Sequence, residues 1–265
     1  MERKRVGNVE VIALVDTIQA YPATAVYPRA GEALQRFTAY MDAEGKIALN
    51  FAAFLLVDGS RKVLVDTGWG PEYNGQLLAE LAAAGVTPGE VDTVTYTHLH
   101  GDHTGWSFDR ATGEPLFPNA RYLVPKGDWD HYSKQSPIPA SFTRDIAPLL
   151  PLNRMDLIEG EQALGPSLTT LPTPGHTPGH TSVIITSAGE RGCILGDVVL
   201  TMVDAEEPSF ESSFDWDHGI AGRTRAAMIA RLAGERTLVG ASHLPAPGFG
   251  HFVVDGGKSR WVPGA

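Results

Sequence analysis

Several things are scarce in this sequence, and each scarcity excludes a class of protein. One cysteine, Cys193, occurs in 265 residues, so no internal disulfide can form and a disulfide-stapled scaffold is excluded. It lies in the apolar run Cys193-Ile194-Leu195 and reads as core. No stretch approaches the ~18 consecutive apolar residues of a membrane span. Met1 to Gly7 is charged, and no apolar segment with a cleavage site follows it. No secretory signal is therefore expected, and a cytoplasmic location is. Basic side chains are few, with 21 Lys and Arg against 31 Asp and Glu, a formal net charge of −10. The one basic cluster, Arg3-Lys4-Arg5, reads as a solvated terminus, so neither nucleic acid nor a membrane is expected as a partner. No internal repeat or low-complexity block divides the chain. One domain over residues 1–265 is the simplest organisation.

What is present is concentrated in Thr97-His98-Leu99-His100-Gly101-Asp102-His103-Thr104-Gly105, which follows the β-branched run Val91 to Tyr96. Side chains alternate in an extended segment, so His98 and His100 point to one side and can grip one metal ion. Gly101 lets the chain turn. Asp102 and His103 are adjacent and must diverge, which aims them at a second ligand position. Three imidazoles and a carboxylate within six residues form a nitrogen and oxygen donor set suited to zinc, with iron, manganese or cobalt as alternatives. A polar loop whose histidines bond only to backbone and water is the competing reading. Burying so many imidazoles beside a carboxylate is costly unless a charge organises them.

Around this loop the pattern alternates strands and helices, which points to an α/β layered fold. Asn8 to Ile18 reads as a first strand. Tyr21 to Lys46 reads as an irregular insertion that shapes a pocket or crosses the surface. Ile47 to Val57 and Lys62 to Asp66 read as strands joined at Asp58-Gly59, a hairpin signal. Asn74 to Ala84, with its Leu77, Leu78 and Leu81 face, reads as a helix capped by Asn74 and ended by Gly85. Ala120 to Val124, Asp156 to Ile158, Leu168 to Leu171, Thr181 to Thr186, Cys193 to Leu195 and Thr237 to Ala241 read as strands. Gly127 to Ser133 and Arg223 to Ala233 read as helices. His131 has no second donor nearby in sequence and reads as a surface or packing histidine. Two prolines and two glycines stiffen Thr173-Pro174-Gly175-His176-Thr177-Pro178-Gly179-His180, as suits a ligand that must be held rigidly.

The H-x-H-x-D-H stretch resembles the signature of the metallo-β-lactamase-fold hydrolases. Further landmarks follow in that family's order: Val65-Asp66-Thr67-Gly68, Thr173-Pro174-Gly175-His176, Gly196-Asp197 and Ser242-His243, a match over about residues 47–254. The resemblance implies a four-layer αβ/βα sandwich and two divalent metal ions. It implies that His98, His100 and His176 hold one ion, that Asp102, His103 and His243 hold the other, and that Asp197 bridges them. An acid at Asp66 supports the ligands from behind in that family, with a turn cap as the alternative; His180 is expected to support or pack. A bridging acid and the absence of a thiolate ligand disfavour the true zinc β-lactamases. The short stretch after His243 weakens the glyoxalase II-type thioesterases, whose glutathione-binding extension is helical.

The segment Pro208 to Asp217 and the ending Ser242 to His251 resemble the lactonase and methyl-parathion-hydrolase-like branch. Acyl-homoserine lactonases carry a tyrosine three residues after the bridging acid, where this chain has Leu200. The expected activity is hydrolysis of a small lactone or ester by a metal-bridging hydroxide, with Asp102 as proton acceptor and donor. A thioesterase of the glyoxalase II type, an organophosphate hydrolase, a non-catalytic metal-binding sensor and a di-iron redox relative are the alternatives. A small molecule is the expected partner, and a homodimer is compatible with the sequence. Trp69, Trp106, Phe214, Trp216 and Phe249, near the ligand landmarks or after the bridging acid, are the expected substrate-pocket wall.

Overall fold

The structure, a computed structural model, describes residues 1–264. It contains two mixed sheets. The first is built in chain order from β1 (Glu2–Val6), β2 (Val9–Pro22), β3 (Lys46–Asp58), β4 (Arg61–Val65), β5 (Thr93–Thr95), β6 (Arg121–Pro125) and β7 (Met155–Ile158). Neighbours are antiparallel from β1 to β4 and parallel from β4 to β7. The second contains β8 (Leu168–Pro172), β9 (Thr181–Ser187), β10 (Glu190–Ile194), β11 (Leu238–Gly240), β12 (Phe249–Asp255) and β13 (Lys258–Pro263), in the order β13-β12-β11-β10-β9-β8.

Alternation along β2 and β3 creates two apolar faces, because successive side chains point to opposite sides of a strand. Val11, Ala13, Phe54 and Leu56 face the second sheet and pack with Leu168, Val183, Ile185 and Phe249. Ile12, Leu14, Ala53 and Leu55 face outward onto Leu77 and Leu81 of the helix Leu77–Ala83. On the far side, Cys193, Leu195, Val239 and Phe252 pack with Met228, Ile229 and Leu232 of the helix His218–Gly234. Helix, sheet, sheet and helix therefore stack as an αβ/βα sandwich. No helix among the described residues is long and apolar enough to cross a membrane.

The differences from the sequence expectations have local causes. Glu2–Val6 is an edge strand rather than a solvated terminus, with Arg3 paired to Glu10 at 3.1 Å; charged side chains are what an edge strand accommodates. The helix expected from Asn74 begins at Leu77. Asn74 adopts a left-handed φ of 56° closing the turn Pro71–Tyr73, and the Leu77 N–H is capped by the distant Asp16 carboxylate at 2.9 Å. The 21–46 insertion is pinned at its root by the pairing of Pro22 with Lys46. Its Tyr27, Leu34 and Phe37 pack with Leu49, Phe51 and Val203 in an apolar cluster. The hairpin β12–β13, which completes the second sheet, lies beyond the last strand the sequence indicated.

Candidate metal centre

The donor residues stand on connections at the ends of strands, where layered α/β folds place their sites. After β5 the chain runs through Thr97, His98 and Leu99 to His100, then into the single helical turn Gly101–Thr104 that presents Asp102 and His103. His176 comes from the loop between β8 and β9, Asp197 from the turn Gly196–Val198 after β10, and His243 from the loop after β11.

These side chains form two groups, His98, His100 and His176, and Asp102, His103, Asp197 and His243, with the donor atoms of each group within 4.8 Å of one another. In the first, His100 Nδ1 lies 3.0 Å from both His98 Nε2 and His176 Nε2. In the second, Asp197 lies 3.2 Å from His103 Nε2 and 3.0 Å from His243 Nε2, while Asp102 lies 3.4 Å from each. Asp197 Oδ2 also approaches the first group, 3.3 Å from His176 Nε2 and 3.7 Å from His98 Nε2.

Backing groups aim the ring nitrogens, since carboxylate and carbonyl oxygens only accept hydrogen bonds. His103 Nδ1 is 2.8 Å from Asp66, His243 Nδ1 is 2.7 Å from the Asn50 carbonyl, and His176 Nδ1 is 3.1 Å from Asp215. The Thr97 hydroxyl donates to Asp66 at 2.8 Å, so its oxygen is left to accept from His98 Nδ1 at 3.0 Å. Each of these rings therefore directs Nε2 into the centre. Asp66 holds its position at a left-handed φ of 62°, a conformation costly for a residue with a Cβ. His180 accepts from the Asp197 amide at 2.9 Å and contacts Thr173 Oγ1 at 2.8 Å. A Cβ on Gly196, whose φ is 60°, would stand 2.6 Å from that His180 nitrogen, so this turn needs glycine.

The electrostatics call for positive charge at the centre. Burial, followed by the other imidazoles, lowers His98 well below its usual value, and burial followed by His176 lowers His100 to about 3. Burial opposes ionisation of Asp102 and Asp197, yet His103 and His243 hold both well below the ordinary carboxylate range. Without ions, the surrounding acids overcome burial and keep protons on His103, raised well above its usual value, and on His243, raised to about 10. Protons or metal cations can supply this charge. Two further observations fit metal: His100 Nδ1 lies 3.0 Å from two other ring nitrogens, and the buried His103 Nε2 and Asp197 Oδ1, 3.2 Å apart, have no aligned hydrogen-bond partner among the described residues.

A cavity of about 430 Å³ opens over the donors, walled by Tyr21, Leu49, Phe51, Trp69, Leu200, Ser213 and Phe214. Of the five expected aromatics, Trp69 and Phe214 line it. Trp106 instead packs against the outer face of the first sheet and donates its indole N–H to Asp16 at 2.9 Å. Phe249 is 2% exposed in the core between the sheets, 5.6 Å from the Phe54 ring. Trp216 is 51% exposed and stands outside the lining, near His131. Closeness in sequence to a ligand does not fix the face on which a side chain emerges, which is why these three differ. The sequence reading missed Tyr21, Leu49 and Phe51, brought from the first sheet, and the buried acids Asp16 and Asp128. Asp128 accepts from Leu99 N, Thr177 Oγ1 and Gly179 N at 3.0, 2.9 and 2.6 Å, tying two donor loops together. No local motif marks it.

The family model of the metallo-beta-lactamase superfamily matches residues 52–243. This chain belongs to that superfamily. Similar solved structures include the hydrolase AbOPH of the beta lactamase superfamily, at 28% identity and a TM-score of 0.88 over 99% of this chain and 97% of that one. The dizinc quorum-quenching lactonase AidC, at 24% identity and a TM-score of 0.87 over 100% and 97% of the two chains, shares the fold. Curated relatives include an N-acyl homoserine lactonase of a Bacillus species, 27% identical over 50% of this chain and 56% of that protein. Human metallo-beta-lactamase domain-containing protein 1 is 37% identical over 52% of this chain and 41% of that protein. The chain thus spans about half the length of these curated relatives.

Proposed function

We propose that this superfamily member is a dinuclear metal-dependent hydrolase of small, uncharged lactones or esters. The observation that carries the reading is the juxtaposition of two donor groups, joined by Asp197, with a largely apolar cavity directly above them. His98, His100 and His176 would hold one ion and Asp102, His103 and His243 the other, with Asp197 between. An imidazole and carboxylate set without thiolate suits zinc, and also iron, manganese or cobalt. When bound, such a pair supplies Lewis acidity and makes water acidic enough to ionise near neutral pH.

The chain's own residues do the rest. Asp102 lies in the cavity floor with its side chain 21% exposed, placed to take a proton from the attacking water and return it to the departing alkoxide. Asp66, His180 and the Asn50 carbonyl hold donors in orientation, so little reorganisation is left for the reaction. Leu49, Phe51, Trp69, Leu200 and Phe214 receive an apolar substituent. Leu200 offers no side-chain hydrogen-bond donor, so a polar contact from the wall falls to the Tyr21 or Ser213 hydroxyl or the Trp69 indole N–H. The relatives named as lactonases support the substrate class, and a net charge of −10 slows approach of polyanions.

The test is a panel of lactones, aryl esters, a phosphotriester, a β-lactam and RNA on protein of measured metal content. Turnover of at least one lactone or aryl ester, with negligible turnover of β-lactam and RNA, is expected. Efficient cleavage of the β-lactam or RNA without any lactone or ester turnover would overturn the substrate class.

A further inference from the structure

Behind the first donor group lies a buried polar assembly that no sequence motif announced. Arg225, on the helix His218–Gly234, is 1% exposed although it carries a full charge. A guanidinium in that position must be surrounded by acceptors. Its Nε donates to the Val198 carbonyl at 2.8 Å, and Nη1 donates to the Pro208 and Phe210 carbonyls at 3.2 and 3.0 Å. Nη2 donates to Asp215 Oδ2 at 2.9 Å. The other oxygen of the same carboxylate, Oδ1, accepts from His176 Nδ1 at 3.1 Å. One carboxylate therefore serves two donors, a fixed cation on one side and a donor imidazole on the other.

The surrounding backbone makes the arrangement rigid. Trp216 N donates to the His176 carbonyl at 2.9 Å and Asp217 N to the Gly175 carbonyl at 3.0 Å. Asp217 then caps the helix that carries Arg225, accepting from Ile220 N at 2.8 Å. Gly175, at φ 134°, lies so close to this helix that a Cβ would meet Ala221 Cα at 2.4 Å. Phe214, on the cavity wall, directly precedes Asp215.

We propose that Asp215, anchored by Arg225, is the positioning residue for His176, fixing its tautomer and ring orientation so that Nε2 faces His100 and Asp197. This rests on the metal-centre reading above. Arg225 reaches the Val198 carbonyl beside Asp197 and the 208–210 segment that leads to Phe214, so one guanidinium aligns a donor turn, a donor ring and a stretch of cavity wall. Truncating a carboxylate of this kind behind a ligating imidazole commonly weakens metal binding by about 10–100-fold.

The test uses full-length protein stripped of metal and loaded with cobalt(II), comparing wild type, Asp215→Asn and the double variant Asp215→Leu with Arg225→Met, in which His176 Nδ1 loses its acceptor. An amide offers one oxygen where the carboxylate offers two, so Asn cannot serve His176 and Arg225 together. The double variant removes the stranded buried guanidinium, which could by itself destabilise the fold. Chelator competition should show one of two stepwise affinities falling by about 10–100-fold in both variants. The cobalt absorption spectrum should change, and kcat should fall more than KM changes. A folded variant, by circular dichroism, with both affinities and the spectrum of wild type would overturn the proposal. So would equal loss at both sites rescued in the double variant, which would assign the effect to the guanidinium. Wild-type protein that takes up no cobalt would overturn the metal-centre reading itself, a distinguishable outcome.

Discussion

Replacing Asp16 with asparagine should destabilise this fold by several kcal/mol although the change is isosteric. The Asp16 carboxylate is fully buried and receives four N–H groups: Trp69 N and Gly70 N at 2.7 and 3.2 Å on Oδ2, Leu77 N and Trp106 Nε1 at 2.9 Å each on Oδ1. Gly68 and Gly75 press against it so closely that a Cβ on either would come within 2.6 and 2.5 Å of its carboxylate. There is no room for the side chain to turn away. An amide keeps one oxygen and turns an NH₂ toward the other pair of donors, so two of four bonds are lost whichever way it faces. Hydrogen bonds to a charged group contribute about 1.5–3 kcal/mol each, which gives a loss of about 3–6 kcal/mol. That is a large fraction of a typical total of about 5–15 kcal/mol. At about 2–4 °C per kcal/mol the melting temperature should fall by roughly 6–24 °C. Urea unfolding of wild type and Asp16→Asn at equal metal saturation measures this directly. A loss below about 1 kcal/mol would refute the reasoning, since it would mean that the four donors find other partners at little cost.

Three further outcomes are expected. Metal binding must displace the protons held on His103 and His243, so apparent affinity should rise with pH, about tenfold per unit for each proton released; affinity independent of pH between about 6 and 9 would contradict this. In metal-free protein the sign for stability is the reverse. Both folded-state values lie above the unfolded one, so the contribution is full below the usual histidine pKa of about 6.5 and fades as pH rises toward about 10 for His243; stability of chelator-treated protein that climbs through this window would refute it. Phe249→Ala should cost about 3–5 kcal/mol with KM unchanged, whereas Phe214→Ala should raise KM with little change in melting temperature; the opposite pattern would return Phe249 to the pocket and Phe214 to the core.

The dense donor loop was legible because chemistry and spacing coincide there: His98 and His100 alternate on one side, and Asp102 and His103 diverge after Gly101. The later donors His176, Asp197 and His243 were legible only through the resemblance, since each stands alone in its loop. The apolar runs of β3 and β4 were legible as strands because the hairpin signal Asp58-Gly59 joins them. What stayed hidden depends on contacts between residues far apart in the chain. Asp16 sits in a hydrophobic strand pattern and Asp128 in an ordinary helix start, and nothing local distinguishes a carboxylate that collects distant N–H groups from one facing water. Arg225 reads as the polar face of an amphipathic helix, yet the helix meets the 208–217 segment on that side. The cavity wall failed in the same way: Leu49 and Phe51 look like core, and their strand carries them to the edge of the donor cluster.

The central claim is that the two donor groups hold two ions that act together on one substrate. Titrating metal-free protein with zinc while following hydrolysis of a lactone or aryl ester that the loaded protein turns over tests it most directly. The account predicts that activity saturates at two equivalents per chain, matching the two groups, and that elemental analysis of the active protein finds two ions. Full activity at one equivalent, or undiminished activity after complete metal removal, would contradict it.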